Sequence, residues 1–175
     1  MSECKPTSKP LVPNEQLVIT TQEKIEKLKL LECSYCGAIG SINYLSTATR
    51  PDLSFTLSSL SQYLENLGIK HWHAFLHFLC YLKGSSNVGL RYKKEGAQGI
   101  RAWSDADWGN CCSTRHSVMG YLATFNSSLV LWKTRKQPLV SISTAEAEYK
   151  ALGDLTSELI WLKQWCTEAQ ILQLT

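Results

Sequence analysis

The sequence predicts a mixed architecture, α+β or α/β, on three observations. Between residues 21 and 99 apolar side chains recur at three- and four-residue spacing, the period of amphipathic helices. Past Gly99 the pattern shortens to strand-like runs, two of them joined by Asn126-Ser127-Ser128 in a hairpin. From Thr144 onward a long apolar stripe returns at helical spacing.

The first twenty residues read as an extended leader, because Pro6, Pro10 and Pro13 remove donors and bias the residue before each away from helix. Residues 21–32 are charged and helical, with Ile25 and Leu28 on one face. A second helical stretch runs from Ser34 to Thr47 on Ala38, Ile39, Ile42 and Leu45, where Gly37 and Gly40 suit close packing. Arg50-Pro51-Asp52 marks a break and a fresh helix start. Leu53, Leu57, Leu60 and Leu64 then carry a helix ending near Gly68. Lys70–Lys83 forms the next helix on Phe75, Phe78, Leu79 and Leu82, and Val88–Lys94 reads as a short strand. In the second half, Ile100–Asp105, Val118–Phe125 and Leu129–Lys133 are strands, followed by a strand-like Leu139–Ile142 after Pro138. Thr144 is the expected N-cap of the long helix, buried on Ala147, Ala151, Leu152, Leu155, Leu159 and Leu162, with a kink expected near Gly153. This gives three segments: a leader at 1–20, a mainly helical segment at 21–99 and a mixed segment at 100–175.

With 175 residues, 44% hydrophobic and 19% charged, the chain has the composition of one folded domain or two small ones, and wholesale disorder is excluded. No apolar run approaches the ~20 residues of a membrane-spanning helix. The polar start has no signal-like apolar region, so a cytoplasmic or nuclear, non-secreted protein is expected. Lys and Arg outnumber Asp and Glu by 11 to 8 in residues 1–99 and match them, 7 to 7, in 100–175. A bias this mild permits contact with phosphates without requiring it. The seven cysteines lack framework spacing and read as reduced thiols. Cys33-Ser-Tyr-Cys36 is half of a zinc pattern with no second half, and His73 and His77, one helical turn apart, find no third ligand nearby.

Chemistry concentrates in two acidic clusters. Asp105 and Asp107 sit at the end of a strand, and Glu146 and Glu148 in the first turns of the long helix. Carboxylates brought together from a strand and a helix make a hard-oxygen site suited to Mg²⁺, and paired ions serve phosphodiester hydrolysis. Acids at a helix start also complement its dipole without any catalytic role.

At these residues the sequence resembles a known family. Ser104-Asp105-Ala106-Asp107-Trp108-Gly109, Ser117-Val118-Met119-Gly120-Tyr121, Trp132-Lys133-Thr134-Arg135-Lys136-Gln137 and Ser143-Thr144-Ala145-Glu146-Ala147-Glu148-Tyr149 occur in the order of the ribonuclease H region of copia-type retrotransposon Pol polyproteins. Cys4-Lys5-Pro6, Pro10-Leu11-Val12-Pro13-Asn14, Gly40-Ser41-Ile42-Asn43-Tyr44-Leu45, Thr49-Arg50-Pro51-Asp52 and Tyr81-Leu82-Lys83-Gly84 look like the segment joining that family's reverse transcriptase to its ribonuclease H.

The resemblance implies a helical connection segment at 21–99 and a truncated ribonuclease H-like fold at 100–175, an antiparallel three-stranded sheet plus one long helix. It assigns the family's first metal-binding aspartate to Asp105 and its helical glutamate to Glu148, both ligands to Mg²⁺, of which the family uses two ions. Glu146 becomes a solvent-facing neighbour. The family's third carboxylate, from an Asp-Asn pair on a later strand, and its fourth acid have no counterpart in this sequence. Asp154 lies ~240° around the helix from Glu148 and points elsewhere. Weak or single-ion binding, loss of hydrolysis and an exposed sheet edge open to self-association are therefore expected. An RNA–DNA hybrid is the implied substrate, with Lys133, Arg135 and Lys136 as weak nucleic-acid contacts. The competing readings are a non-catalytic nucleic-acid-binding or protein-interaction module and a translated relic.

Overall fold

The computed structural model describes residues 4–12, 17, 25–93, 99–111 and 114–170, with side chains of the helical residues 25–34 excluded. The chain divides into two compact units, Met1–Arg91 and Tyr92–Thr175.

The first unit is helical. α1 (Ile25–Ala48) is one continuous helix where the sequence suggests two. Gly37 and Gly40 neither break it nor serve a close approach, since a Cβ at either would meet nothing within 4 Å. A 3₁₀ turn (Pro51–Leu53) leads into α2 (Ser54–Ser61), which stops short of the expected Gly68. α3 (Ile69–Gly84) begins where the Gly68 N–H donates to His71 Nδ1 at 2.9 Å. His71 is fully buried and stacks on Tyr63 at 3.8 Å, so it belongs to the packing. The expected strand at Val88–Lys94 does not form over 88–93: Val88 and Tyr92 are exposed and no strand lies beside them among the described residues. Lys94 falls outside those residues.

The core of this unit gathers Tyr35, Ile39, Leu53, Leu60, Phe75 and Phe78. Tyr35 packs edge-on against Phe75 at 5.1 Å and donates its hydroxyl to the Leu60 carbonyl at 2.8 Å. Arg50, 4% exposed, holds the helix ends together. It donates to both Asp52 oxygens at 2.9 and 2.8 Å, and to the Ser85 carbonyl and hydroxyl at 2.8 and 2.7 Å. Tyr81 donates to the same Asp52 at 2.7 Å. Burial pushes the Asp52 carboxyl up, but the hydrogen bonds from Arg50 and Tyr81 and the Arg50 charge outweigh it and hold the group below the usual carboxylate range. Residues 4–12 run without helix or strand along α3, where Lys83 donates to the Cys4 carbonyl at 3.0 Å and His77 Nε2 meets the Lys9 carbonyl at 3.0 Å. This route brings Cys4 to Cys80, Cα atoms 5.7 Å apart, and the two are bonded as a disulfide. Reduced thiols throughout were expected; the pairing corrects that for these two.

The second unit is α+β. β1 (Ile100–Asp107), β2 (Val118–Phe125) and β3 (Ser128–Lys136) form an antiparallel sheet in the order β1-β2-β3. The hairpin turn is tighter than expected: Asn126 and Ser127 both take positive φ, 48° and 62°, as a two-residue turn of the twist-matching kind requires. α4 (Thr144–Glu168) packs on one sheet face through Ala147, Ala151 and Leu155 against Met119, Tyr121 and Ala123. It runs unbroken through Gly153. Leu139–Ile142 is not a strand; Leu139, Val140 and Ile142 are exposed, with Ile142 at 89%.

Candidate functional site

Strand alternation decides where Asp105 points. Ala102, Ser104 and Ala106 lie directly opposite Ala123, Tyr121 and Met119, so they share the face covered by α4. Arg101, Trp103, Asp105 and Asp107 therefore stand on the face that α4 leaves open, and all four are exposed. Asp107 accepts a hydrogen bond from Asn110; Asp105 has no partner among the described residues.

The end of β1 is tied to the start of α4. The Trp108 indole N–H donates to the Ser141 carbonyl at 2.8 Å. Beneath this contact lies Gln137, 1% exposed. Its backbone N–H donates to Ser117 at 2.8 Å and its carbonyl meets His116 Nδ1 at 2.7 Å. Its side-chain amide donates to the Ala147 carbonyl at 2.8 Å and accepts from the Ser141 hydroxyl at 2.9 Å. One side chain thus joins β3, the segment before α4 and the helix's first turn. This residue was part of a recognised motif but received no role from the sequence; a lone polar residue just before a proline gives no sign of burial.

The N-cap of α4 is Ser143, one residue before the expected Thr144, with its hydroxyl accepting from the Glu146 N–H at 3.1 Å. Glu146 answers by accepting from the Ile142 N–H at 2.7 Å, and it pairs with Lys150 at 2.8 Å. The Lys150 contact and the Ile142 N–H hold its carboxyl below the usual glutamate range. Glu146 is therefore a helix-start residue rather than a merely solvent-facing neighbour. Glu148 lies in the second turn, exposed, with no hydrogen-bond or ion-pair partner among the described residues.

Of the three basic residues expected to meet nucleic acid, two are matched by α4. Lys133 pairs with Glu158 at 3.5 Å and Arg135 with Asp154. Tyr121 also donates to Glu158 at 3.1 Å, and burial together with that carboxylate pushes its phenol up. The Lys136 amine lies 4.0 Å from Cys111 Sγ.

Asp105 and Glu148 offer the hard carboxylate oxygens that Mg²⁺ takes, free of competing hydrogen bonds among the described residues. They share no common partner, and no group of three or more His, Cys, Asp and Glu residues able to hold a metal occurs among the described residues. Asp105 stands on the face that α4 leaves open and Glu148 on α4, so the two do not converge on one ion and do not make a two-ion centre.

Comparison with known proteins places this chain among transposon sequences. It is 35% identical over 173 residues to the retrovirus-related Pol polyprotein from transposon TNT 1-94 of Nicotiana tabacum, covering 96% of this chain and 13% of that one. It is 33% identical over 171 residues to the Pol polyprotein from transposon RE2 of Arabidopsis thaliana, covering 98% of this chain and 11% of that one. It is also 38% identical over 128 residues, 73% of this chain and 90% of the relative, to secreted RxLR effector protein 161 of Plasmopara viticola. The chain thus spans only about an eighth of the Pol relatives. No family model matches, and no solved structure matches. The effector corrects the expected cytoplasmic or nuclear, non-secreted setting: a protein related over nine-tenths of its own length carries a secreted name, so a polar start is no guide to compartment here. Among the described residues no helix is long and apolar enough to cross a membrane.

Proposed function

Because this chain belongs to the retrovirus-related Pol family of transposons as a Pol-derived segment, we propose that its second unit is a ribonuclease H-related module that carries two acidic ligands, Asp105 and Glu148, and does not turn over on its own. The observation that supports this is the tie between the end of β1 and the start of α4, which seats Asp105 and Glu148 on the two elements that meet there. Asp105 stands on the sheet face that α4 leaves open and Glu148 on α4 itself, so each would meet a largely hydrated Mg²⁺ on its own rather than share one ion. A bound ion supplies positive charge toward a phosphate and a polarised water. The residues of this chain supply position: Gln137 and Trp108 fix the helix start, and the Ser143–Glu146 cap keeps its first turn wound so that Glu148 stays on the helix.

An RNA–DNA hybrid is the substrate class on this reading. Lys133 and Arg135 spend their charge on α4, which leaves little basic surface on β3 to grip a duplex and argues against a dedicated nucleic-acid binder.

The test pairs two readouts on the full chain. Mg²⁺ titration followed by amide chemical shifts is expected to move Asp105 and Glu148 independently, with saturation only at roughly millimolar ion. Asp105→Asn should abolish the first movement and leave the second, and Glu148→Gln the reverse. A labelled RNA–DNA hybrid is expected to stay intact. Shifts confined to other residues would remove the assigned site, and cleavage that disappears in Glu148→Gln would show that turnover survives.

A further inference from the structure

The free edge of the sheet carries a self-complementary pattern. Among the described residues β1 pairs only with β2, so within them its outer side is an unpaired row of N–H and C=O groups. Two hydrogen bonds fix which residues own that row. The Asn126 N–H donates to the Gly99 carbonyl, making Gly99–Asn126 a hydrogen-bonded pair in the β1–β2 register. The Gln137 N–H donates to the Ser117 carbonyl, which assigns the odd residues of β2 to β3 and the even ones to β1. Both agree that Trp103 and Asp105 spend their backbone groups on β2, while Ala102, Ser104 and Ala106 aim theirs outward.

We propose that this edge pairs antiparallel with β1 of a second copy of the chain, about a two-fold axis through Trp103. In that register Ala102 faces Ser104 of the second copy, so the outward-aimed groups meet each other as hydrogen-bonded pairs. Trp103 then faces its own counterpart, and Arg101 faces Asp105, in non-hydrogen-bonded pairs, where side chains approach most closely. All of these lie on the open face, clear of α4. The result is a six-stranded sheet with both α4 helices on one side.

Charge selects this register. Shifting the axis to Asp105 would set the two Asp105 side chains against each other, and a parallel arrangement in register would oppose Arg101 to Arg101. An axis through Ser104 would offer Arg101 to Asp107, but it would lay Trp103 on a carboxylate and draw on an Asp107 that Asn110 already holds. The Trp103-centred register also continues an apolar row. Trp103 lies beside Leu122 and Leu122 beside Trp132, with Trp103 at 52% and Leu122 at 39% exposure. Pairing joins two such rows end to end and removes the exposed tryptophan from water.

Sedimentation equilibrium on the full chain tests this, using Arg101→Asp, Asp105→Arg and the double variant, each checked for an unchanged circular dichroism spectrum. The wild type is expected to dimerise. Each single variant should weaken the dimer by roughly ten-fold or more, because two opposite-charge contacts become like-charge ones. The double variant should recover to within about three-fold of wild type. A wild type that stays monomeric, a dimer indifferent to the single variants, or rescue of Arg101→Asp by Asp107→Arg instead would overturn the proposal. Should a variant misfold, hydrogen exchange on the wild type decides. The Ala102, Ser104 and Ala106 amides should gain protection as concentration rises while Trp103 and Asp105 do not, and uniform behaviour along β1 would refute the pairing.

Discussion

Replacing Gln137 isolates what holds the sheet and helix in place. Gln137→Ala deletes three buried side-chain hydrogen bonds, a weak one to the Met119 sulfur and two strong ones, to Ala147 and from Ser141, the strong ones each worth about 1 kcal/mol net. It also empties about 50 Å³, which at ~24 cal/mol per Å³ adds about 1.2 kcal/mol. The expected loss is therefore about 3 kcal/mol. Gln137→Leu fills the space and loses only the hydrogen bonds, so about two-thirds of that loss is expected. The stranded partners soften the blow, since the Ser141 hydroxyl keeps Lys150 at 3.1 Å. Native-state hydrogen exchange read at the first turns of α4 and in β2–β3 measures this locally, without requiring the two units to unfold together. The reasoning is refuted if Gln137→Leu is as damaging as Gln137→Ala, or if neither exceeds ~0.5 kcal/mol.

Three further outcomes are expected. Arg50→Met leaves Asp52 half-buried without its cation and should cost the first unit about 3 kcal/mol in urea melts. Because the Asp52 carboxyl is held below its ordinary value in the fold, its contribution is present above the usual aspartate range and is lost as pH falls through the folded value. The acid transition of the first unit should accordingly flatten in Arg50→Met. Glu146→Gln keeps the shape of the helix start but not its charge, so the first turn of α4 should exchange faster at neutral pH, whereas the two proteins should converge in acid, where Glu146 is protonated. Gly84→Ala would set a Cβ 2.9 Å from the Pro6 Cβ; limited proteolysis should then cut within residues 4–12 faster than in wild type.

Period and punctuation made the helices and the hairpin legible, and they failed where solvent decides. Leu139-Val140-Ser141-Ile142 has a strand's composition. However, it follows Pro138, and the Ser141 carbonyl serves Trp108 rather than a neighbouring strand, so the segment stays a loop. Leu152 belongs to the stripe expected to be buried on the long helix, yet it stands 48% exposed, because a three-stranded sheet covers only one side of α4. Asp105 and Glu148 were legible as residues, whereas their setting was not. Which sheet face Asp105 occupies depends on the register with β2, and that Glu146 is taken up by the helix cap depends on Ser143 rather than Thr144 being the N-cap. Gln137 was invisible for the same reason: its burial arises from three segments that only the fold brings together.

The two proposals meet at Asp105, and their meeting is itself measurable. In the paired sheet its carboxylate faces Arg101 of the second copy; in the separate chain it is free to meet a hydrated Mg²⁺. If both hold, the ion and the second copy compete, and linkage requires each to weaken the other by the same factor. Mg²⁺ should therefore raise the dimer dissociation constant beyond the change produced by KCl of equal ionic strength, which accounts for simple screening. Glu148→Gln leaves Asp105 and the edge strand untouched, so in that variant the excess effect and the dimer should both persist. Equal effects of Mg²⁺ and matched KCl on the wild type would mean that Asp105 does not serve both roles. The separate titration and sedimentation results would then say which of the two it keeps.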